Sequence, residues 1–259
     1  MRIFTYNILN GGVGRADPVG EVIEAQQADV VILIEADDAW VTERIARRLK
    51  MAHVTGLGDK HAAAILSRFP VVHTINHAAL NPAGPRSWLE ARIQPPGEPP
   101  LHLMAVHLHP RATLADEQIR LGQIDTLLDQ TSTWRNHGTP HVLAGDFNAN
   151  APQQRINPDE CKQKTRMAYA ANGNVIPRDA IAKLQAHGYV DSLAAVHGEA
   201  AFGQTTFTTH EPGQRVDYVF THGITAREAW IEKDRLATYA SDHYPIGVTL
   251  EPALPAGRA

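Results

Sequence analysis

The 259-residue sequence contains a single cysteine, Cys161, and no apolar run near the ~20 residues that a membrane-spanning helix needs. One cysteine cannot form an intramolecular disulfide, so the fold does not depend on oxidation. The first six residues lead directly into a strand-like run and lack the charged start and apolar stretch of a signal peptide. These absences predict a cytoplasmic protein without a membrane span.

The sequence also lacks an excess of positive charge. It has 24 Lys and Arg residues and 28 Asp and Glu residues, which gives a net charge of −4. This balance does not favour nucleic-acid binding over the whole surface, although a local basic patch is compatible with it. Hydrophobic residues make up 43% and charged residues 20% of the chain, as is typical of a folded, soluble protein. Nothing in the sequence indicates an obligate protein partner.

Short apolar runs recur along the chain, and several are continuous enough to predict strands that are covered on both faces. Helices are indicated between some of them. Asp17-Pro18 is a typical helix start, and Thr113 with Asp116 forms a capping box ahead of an apolar stripe. Residues 150–174 are polar and poorly periodic, which predicts a long loop.

This mixture of elements predicts an α/β fold in which two mostly antiparallel β-sheets pack face to face with helices outside. Neither an internal repeat nor a low-complexity linker divides the sequence. We therefore expect one domain over residues 1–250, followed by a flexible C-terminal tail over residues 251–259.

Polar residues of catalytic or metal-binding type stand repeatedly at the ends of the strand-like runs. Each has an ordinary alternative explanation, such as a turn asparagine, a helix-capping carboxylate or a hydrogen-bonded core histidine. Their repetition nevertheless predicts a cluster at one edge of the sheets. The residues concerned are Asn7, Glu35, His107, Asp146, Asn148, Asp217 and the Asp242-His243 pair.

The motifs around these residues resemble, in content and order, those of the endonuclease/exonuclease/phosphatase superfamily, to which DNase I-like enzymes belong. The resemblance covers residues 1 to about 250 and implies a four-layered α/β sandwich and a metal-dependent phosphoesterase. The Gly-Asp-x-Asn and Ser-Asp-His motifs together make it specific. The matching segments are Thr5–Asn7, Ile34-Glu35, Ala64–Val71, His107–His109, Gly145–Asn148, Arg215–Tyr218 and Ser241–Pro245.

The acidic residues of this set suit a magnesium site, for which Mn²⁺ can substitute. Hydrolysis of a phosphodiester depends mainly on positioning and on neutralising negative charge, and Mg²⁺ prefers hard oxygen ligands. Glu35 is the first candidate for a metal ligand, with Asn7 beside it. Asp242 is a further candidate.

The remaining polar residues fit catalytic roles. His243 needs a partner that fixes its tautomer and favours its charged form, and the resemblance implies that Asp217 is that partner. The resemblance also implies that Asp146 orients or deprotonates the attacking water or helps to hold a second metal ion. By the same resemblance, Asn148 would hydrogen-bond a phosphate oxygen and His107 would contact the phosphate.

Three further residues are candidates for substrate contact. Arg86 precedes a strand and has the charge to neutralise a phosphate oxygen, but it also fits an ordinary surface arginine. His61 stands where many members of the superfamily have another residue type, so it either reaches the phosphate or is a strand-edge histidine. His109 could shape the substrate pocket. The sequence shows no carboxylate partner for His107.

The leading functional hypothesis is a Mg²⁺-dependent hydrolase of phosphodiester bonds in nucleic acid or a nucleotide. The alternative is a phosphatase or phosphodiesterase for a small phosphorylated metabolite or a lipid headgroup, which the low positive charge and the 6% aromatic content favour. A third hypothesis, a non-catalytic binding scaffold, is disfavoured because every expected ligand and catalytic residue type is present.

Overall fold

The computed structural model describes residues 1–251, and twelve strands lie within this range. The strands are β1 (Arg2–Asn7), β2 (Val30–Ile34), β3 (Ala52–Leu57), β4 (Ala62–Ser67), β5 (Val71–Asn76), β6 (Ser87–Ile93), β7 (Leu101–His107), β8 (His141–Asp146), β9 (Val190–Asp191), β10 (Asp217–His222), β11 (Ala226–Ile231) and β12 (Ile246–Leu250). They form two sheets of six strands, in the orders β11-β12-β1-β2-β4-β3 and β5-β6-β7-β8-β10-β9. Only the pairs β1–β2 and β7–β8 are parallel among the described strands, so the predicted antiparallel majority is confirmed.

Eight α-helices lie in the described part of the chain. They are α1 (Ala16–Ala25), α2 (Ala39–Leu49), α3 (His77–Leu80), α4 (Leu114–Asn136), α5 (Gln163–Ala171), α6 (Asp179–Ala186), α7 (Ser192–His197) and α8 (Arg235–Ala240). Thr113 caps α4 through the predicted capping box with Asp116. The prediction of a long loop over residues 150–174 is wrong, because α5 lies within it and buries Thr165 and Tyr169, which are four residues apart on one helix face.

Three hydrophobic clusters fill the layers. The central cluster lies between the sheets and includes Ile32, Ile65 and Leu103. The second packs the outer face of the first sheet against α1, α2 and α8, and the third packs the outer face of the second sheet against α4 and α6. Because both faces of most strands are buried, their sequences are continuously apolar. The predicted four-layered sandwich is confirmed.

Strand register brings the predicted site residues to one edge of both sheets. In the first sheet Asn7 aligns with Ile34, the residue before Glu35. In the second sheet Asp146 aligns with His107 on one side and with Asp217 on the other. Side chains at the ends of neighbouring strands therefore face a common cleft between the two sheets.

Residues 252–259 lie outside the described residues, so the predicted flexible tail falls almost entirely outside them, and the single domain over residues 1–250 stays a prediction. Among residues 1–251, no helix combines the length and the hydrophobicity that crossing a membrane would require.

Candidate functional site

The carboxylate of Asp146 lies at the centre of the cleft, at the end of β8. Its Oδ2 accepts a hydrogen bond of 3.1 Å from the Asn7 amide, which comes from the other sheet. Its Oδ1 accepts a hydrogen bond of 2.9 Å from the backbone N–H of Asn148. The Nε2 atoms of His107 and His243 lie 3.6 Å and 3.8 Å from Oδ2. Asp146 thus connects groups from both sheets around one oxygen atom.

His243 forms a buried pair with Asp217, as predicted from the resemblance. Its Nδ1 lies 2.9 Å from Asp217 Oδ2, which leaves Nε2 directed toward Asp146. Burial disfavours a charged imidazole, but the negative charges of Asp217 and Asp146 outweigh it and raise the pKa of His243 to about 10. Burial also raises the pKa of the Asp146 carboxyl, while the charge on His243 opposes that rise. His243 is therefore protonated near neutral pH.

His107 differs from His243 because it is buried without a carboxylate on its Nδ1. Within the described residues this nitrogen has no hydrogen-bond partner. Burial, and then the positive charge of Arg86, lower the pKa of His107 well below its usual value. His107 is therefore a neutral imidazole near neutral pH, and it offers a hydrogen bond rather than a charge.

Glu35 is fixed next to Asn7 at the end of β2. Its Oε2 accepts a hydrogen bond of 2.8 Å from the backbone N–H of Asn10, and its Oε1 accepts one of 3.3 Å from the Asn7 amide. The Asn7 Oδ1 accepts one hydrogen bond, from the N–H of Leu9, and an amide oxygen has two acceptor positions. Ser241, the first residue of the Ser-Asp-His motif, donates a hydrogen bond of 2.6 Å to the backbone carbonyl of Asn7.

Asp242 lies in the loop before β12, directly before His243. Its Oδ1 lies 4.0 Å from His243 Nε2, is buried, and has no hydrogen-bond partner within the described residues. Burying a carboxylate oxygen without a partner is costly, and a bound cation would remove that cost. The donor set of Glu35, Asp242 and the amide oxygen of Asn7 is also hard and oxygen-rich, which suits Mg²⁺ or Mn²⁺.

Two groups of three residues in the described chain have ligand atoms close enough together to hold a metal ion. One is the buried group of Asp146, Asp217 and His243, and the other combines Glu35 with Asp37 and His61. In the buried group the positive charge of His243 already offsets part of the negative charge of the two carboxylates, so a metal ion would compete with that proton. The Glu35 group is partly exposed and is open to water, which Mg²⁺ retains as ligands.

His61 forms a second Asp–His pair, on the side of the first sheet. Its Nδ1 lies 2.8 Å from Asp37 Oδ2 and 3.9 Å from Glu35 Oε2. The ring centroid of His61 lies 5.6 Å from that of His107. The other Asp37 oxygen accepts a hydrogen bond from the backbone N–H of Ala62. Asp37 is not recognisable as a site residue from the sequence, since an acidic residue near a helix start has an ordinary explanation.

The other predicted substrate residues lie farther along the cleft. Arg86 and His109 line a cavity of about 680 Å³ between the segments 57–60 and 78–86. The Nε2 of His109 lies 2.9 Å from Asp116 Oδ1, so this histidine is bound to the first turn of α4. Asn148 has a φ of 46° and donates through Nδ2 to the Leu108 carbonyl at 3.2 Å. Asn148 therefore lies next to Asp146, whereas His109 is bound to Asp116 of α4.

The model of a family described as "Endonuclease/Exonuclease/phosphatase family" matches residues 4–243. A search of curated proteins gives no match.

Solved structures share the fold at low sequence identity. A 3'-5' exonuclease from Neisseria meningitidis is 21% identical, with a TM-score of 0.70 over 97% of this chain and 100% of that one. An AP endonuclease from Archaeoglobus fulgidus is 19% identical, with a TM-score of 0.69 over 97% of this chain and 99% of that one. A conserved protein of unknown function from Enterococcus faecalis is 17% identical, with a TM-score of 0.72 over 97% and 100%.

Proposed function

Because the chain belongs to the endonuclease/exonuclease/phosphatase family, whose members hydrolyse phosphoester bonds, we propose that it is a cytoplasmic, Mg²⁺-dependent phosphodiesterase. The observation that carries this proposal is the surroundings of Asp146. Its carboxylate is buried, is held by the Asn7 amide, and lies within 4 Å of the Nε2 atoms of His107 and His243. A carboxylate between two imidazoles can position a water molecule next to groups that bind phosphate oxygens.

Glu35 and Asp242 would hold the divalent cation, and Asn7, whose Nδ2 donates to Glu35 and whose Oδ1 accepts from the Leu9 N–H, would lie beside it. When bound, the cation supplies neutralisation of the phosphate charge. The unpartnered Oδ1 of Asp242 supports this assignment. The hydrogen bonds from Asn10 and Asn7 keep Glu35 in place before the cation arrives, so little reorganisation is needed.

The other side chains of the cleft would activate the attacking water and bind the phosphate oxygens. Asp146 accepts a proton from the attacking water or orients that water. His243, held positive by Asp217, donates a hydrogen bond to the phosphoryl oxygen on which negative charge increases. Neutral His107 and the Asn148 amide donate further hydrogen bonds to phosphate oxygens. Arg86, His61 and His109 would contact the substrate outside this centre.

We propose nucleic acid or a nucleotide as the substrate class. A phosphodiester in a small phosphorylated metabolite or a lipid headgroup is the second candidate, and the net charge of −4 favours it because a long polyanion needs many cationic contacts. The salt dependence of activity separates the two. A steep fall in kcat/KM with salt would indicate a polyanion, whereas a shallow fall would indicate a small substrate.

The proposal is tested by hydrolysis of bis(p-nitrophenyl) phosphate and of supercoiled plasmid, each with Mg²⁺, with Mn²⁺ and with EDTA. We expect metal-dependent cleavage of at least one of them, and we expect the His243→Ala variant to lack it. Lys183→Ala provides the matched control, because Lys183 forms an exposed ion pair with Asp125 and lines neither cavity beside the site. Absence of turnover of both substrates under every metal would contradict the proposal.

A further inference from the structure

A second cavity, which the proposed mechanism does not use, opens beside Asn148. It has a volume of about 530 Å³ and lies between the start of α4, helix α5 and the segment before β10. This volume is in the range of pockets that enclose small organic ligands. Because Asn148 lines it, the cavity lies next to the catalytic centre, and we refer to it as the α5 pocket.

The charge of the α5 pocket is positive. Arg111, Lys162 and Lys164 line it, and no Asp or Glu is among its lining residues. Within the described residues none of these three side chains forms an ion pair, whereas buried Arg120, which also lines the pocket, is neutralised by Glu117 at 2.7 Å. The pocket therefore has cations available for an anionic ligand.

One wall of the pocket connects it to the buried Asp–His pair. The ring of Phe207 lies 4.6 Å from the His243 ring, centroid to centroid, and the Lys162 ammonium lies 4.7 Å from the centroid of the same phenyl ring. A group that binds against Phe207 and Lys162 would thus lie one side chain away from His243. This spacing suits two charged groups of one substrate.

A buried polar atom in the lining independently indicates a ligand. Asn150 is 5% exposed and lines the pocket, and its Oδ1 has no hydrogen-bond partner within the described residues. Its Nδ2 donates to the Tyr169 hydroxyl at 3.1 Å, and that hydroxyl donates to Gln214 Oε1 at 2.7 Å. The relay fixes the Asn150 amide and leaves its oxygen without a donor. A hydroxyl or amino group of a ligand would supply one.

We infer that the α5 pocket binds a second phosphate group of the substrate, which is joined to the hydrolysed phosphodiester through a unit with a hydrogen-bond donor. Lys162 and Lys164 would bind this phosphate, and Asn150 would accept from the linking unit. This inference rests on the proposed function for the position of the first phosphate. It predicts a preference for compounds with two phosphates on one sugar over compounds with one.

Equilibrium binding tests the inference without turnover. Calorimetry in EDTA compares adenosine 3',5'-bisphosphate with adenosine 5'-monophosphate and adenosine 3'-monophosphate. We expect the bisphosphate to bind about tenfold more tightly than either monophosphate, because two cationic contacts that water partly screens together contribute about that factor. The Lys162→Ala/Lys164→Ala double variant should lose the preference, and Lys183→Ala should keep it. Both lysines are at least partly exposed, so the double variant is expected to fold.

Equal binding of the three nucleotides by the unaltered protein, or a preference that survives in the double variant, would overturn the inference. Asn150→Ala adds a second check, because it should weaken bisphosphate binding about threefold, the effect of one lost hydrogen bond. The outcomes stay separable from those of the proposed function. Phosphodiester hydrolysis without a bisphosphate preference would support the proposed function and contradict the binding of a second phosphate in the α5 pocket. A bisphosphate preference without phosphodiester hydrolysis would support the pocket and contradict the proposed function.

Discussion

Two Asp–His pairs flank the candidate site with nearly the same geometry but different surroundings. His243 Nδ1 lies 2.9 Å from Asp217, and His61 Nδ1 lies 2.8 Å from Asp37. The Asp217 side chain is 3% exposed, whereas that of Asp37 is 31% exposed. Water therefore screens the second pair and not the first.

This difference shows that burial, rather than the contact distance, decides what such a pair can do. In the buried pair two carboxylates act on His243 through a medium of low polarity and keep it protonated. That charge is available to a phosphoryl oxygen without reorganisation of solvent. In the exposed pair the hydrogen bond to Asp37 fixes the orientation of His61, and a water molecule can replace Asp37 as the hydrogen-bond partner of the imidazole.

The largest effect is expected from removal of the buried histidine. We expect His243→Ala to lower kcat by about 10³–10⁴-fold, because it removes both a charged donor and the partner of Asp146. The measurement is the rate of bis(p-nitrophenyl) phosphate hydrolysis with Mg²⁺, alongside the melting temperature. A folded variant with a rate within tenfold of the unaltered protein would refute the assignment of His243.

Asp217→Asn keeps the shape of the buried pair and removes its charge, so the expected loss in kcat is smaller, about 10²-fold. Since Asp217 raises the pKa of His243, its removal lowers that pKa. Activity that needs protonated His243 is present below this pKa and disappears as the pH rises through it. The alkaline limb of the kcat/KM profile should therefore move to lower pH. A limb that stays in place would show that a different group controls it.

The same substitution in the exposed pair provides the direct comparison. Asp37→Asn should lower kcat less than tenfold, since exposed charged contacts contribute about 1 kcal/mol or less. The amide oxygen of the substituted side chain would still accept the hydrogen bond from the Ala62 N–H. Parallel assays of this variant and Asp217→Asn give the ratio of the two losses. Equal losses in the two variants would mean that burial does not distinguish the pairs.

The residues that the sequence could predict share one property, which is that they follow or precede an apolar strand. Asp146, His107 and Asp217 lie at aligned strand ends, so recognition of the strands was enough to group them. The pair of Asp37 and His61 joins segments 24 residues apart and exists because β2 and β4 are antiparallel neighbours. Local sequence patterns do not specify which strands pair.

The buried ion pair of Arg215 with Asp191 was unpredictable for the same reason. Its shortest contact is 2.6 Å, and it connects the residue two before β10 to the short strand β9, which is only two residues long and has no apolar run. Helix α5 escaped prediction because only Thr165 and Tyr169 of its nine residues are buried, which gives almost no periodic signal.

The smallest expected effect is the stabilisation of the protein by Mg²⁺. It shows whether the cation binds at Glu35 or in the buried group of Asp146, Asp217 and His243. Mg²⁺ at tenfold its Kd should stabilise the folded protein by about 1.4 kcal/mol, which raises Tm by roughly 3–5 °C for a chain of this size. The shift is measured within each variant, with and without Mg²⁺, so that changes in the stability of the metal-free protein cancel. Glu35→Gln should abolish the shift and Asp217→Asn should preserve it, because Glu35 is partly exposed and Asp217 is already paired with His243. The opposite pattern would assign the cation to the buried group of Asp146, Asp217 and His243, and the buried pair would then be a metal site rather than a source of positive charge.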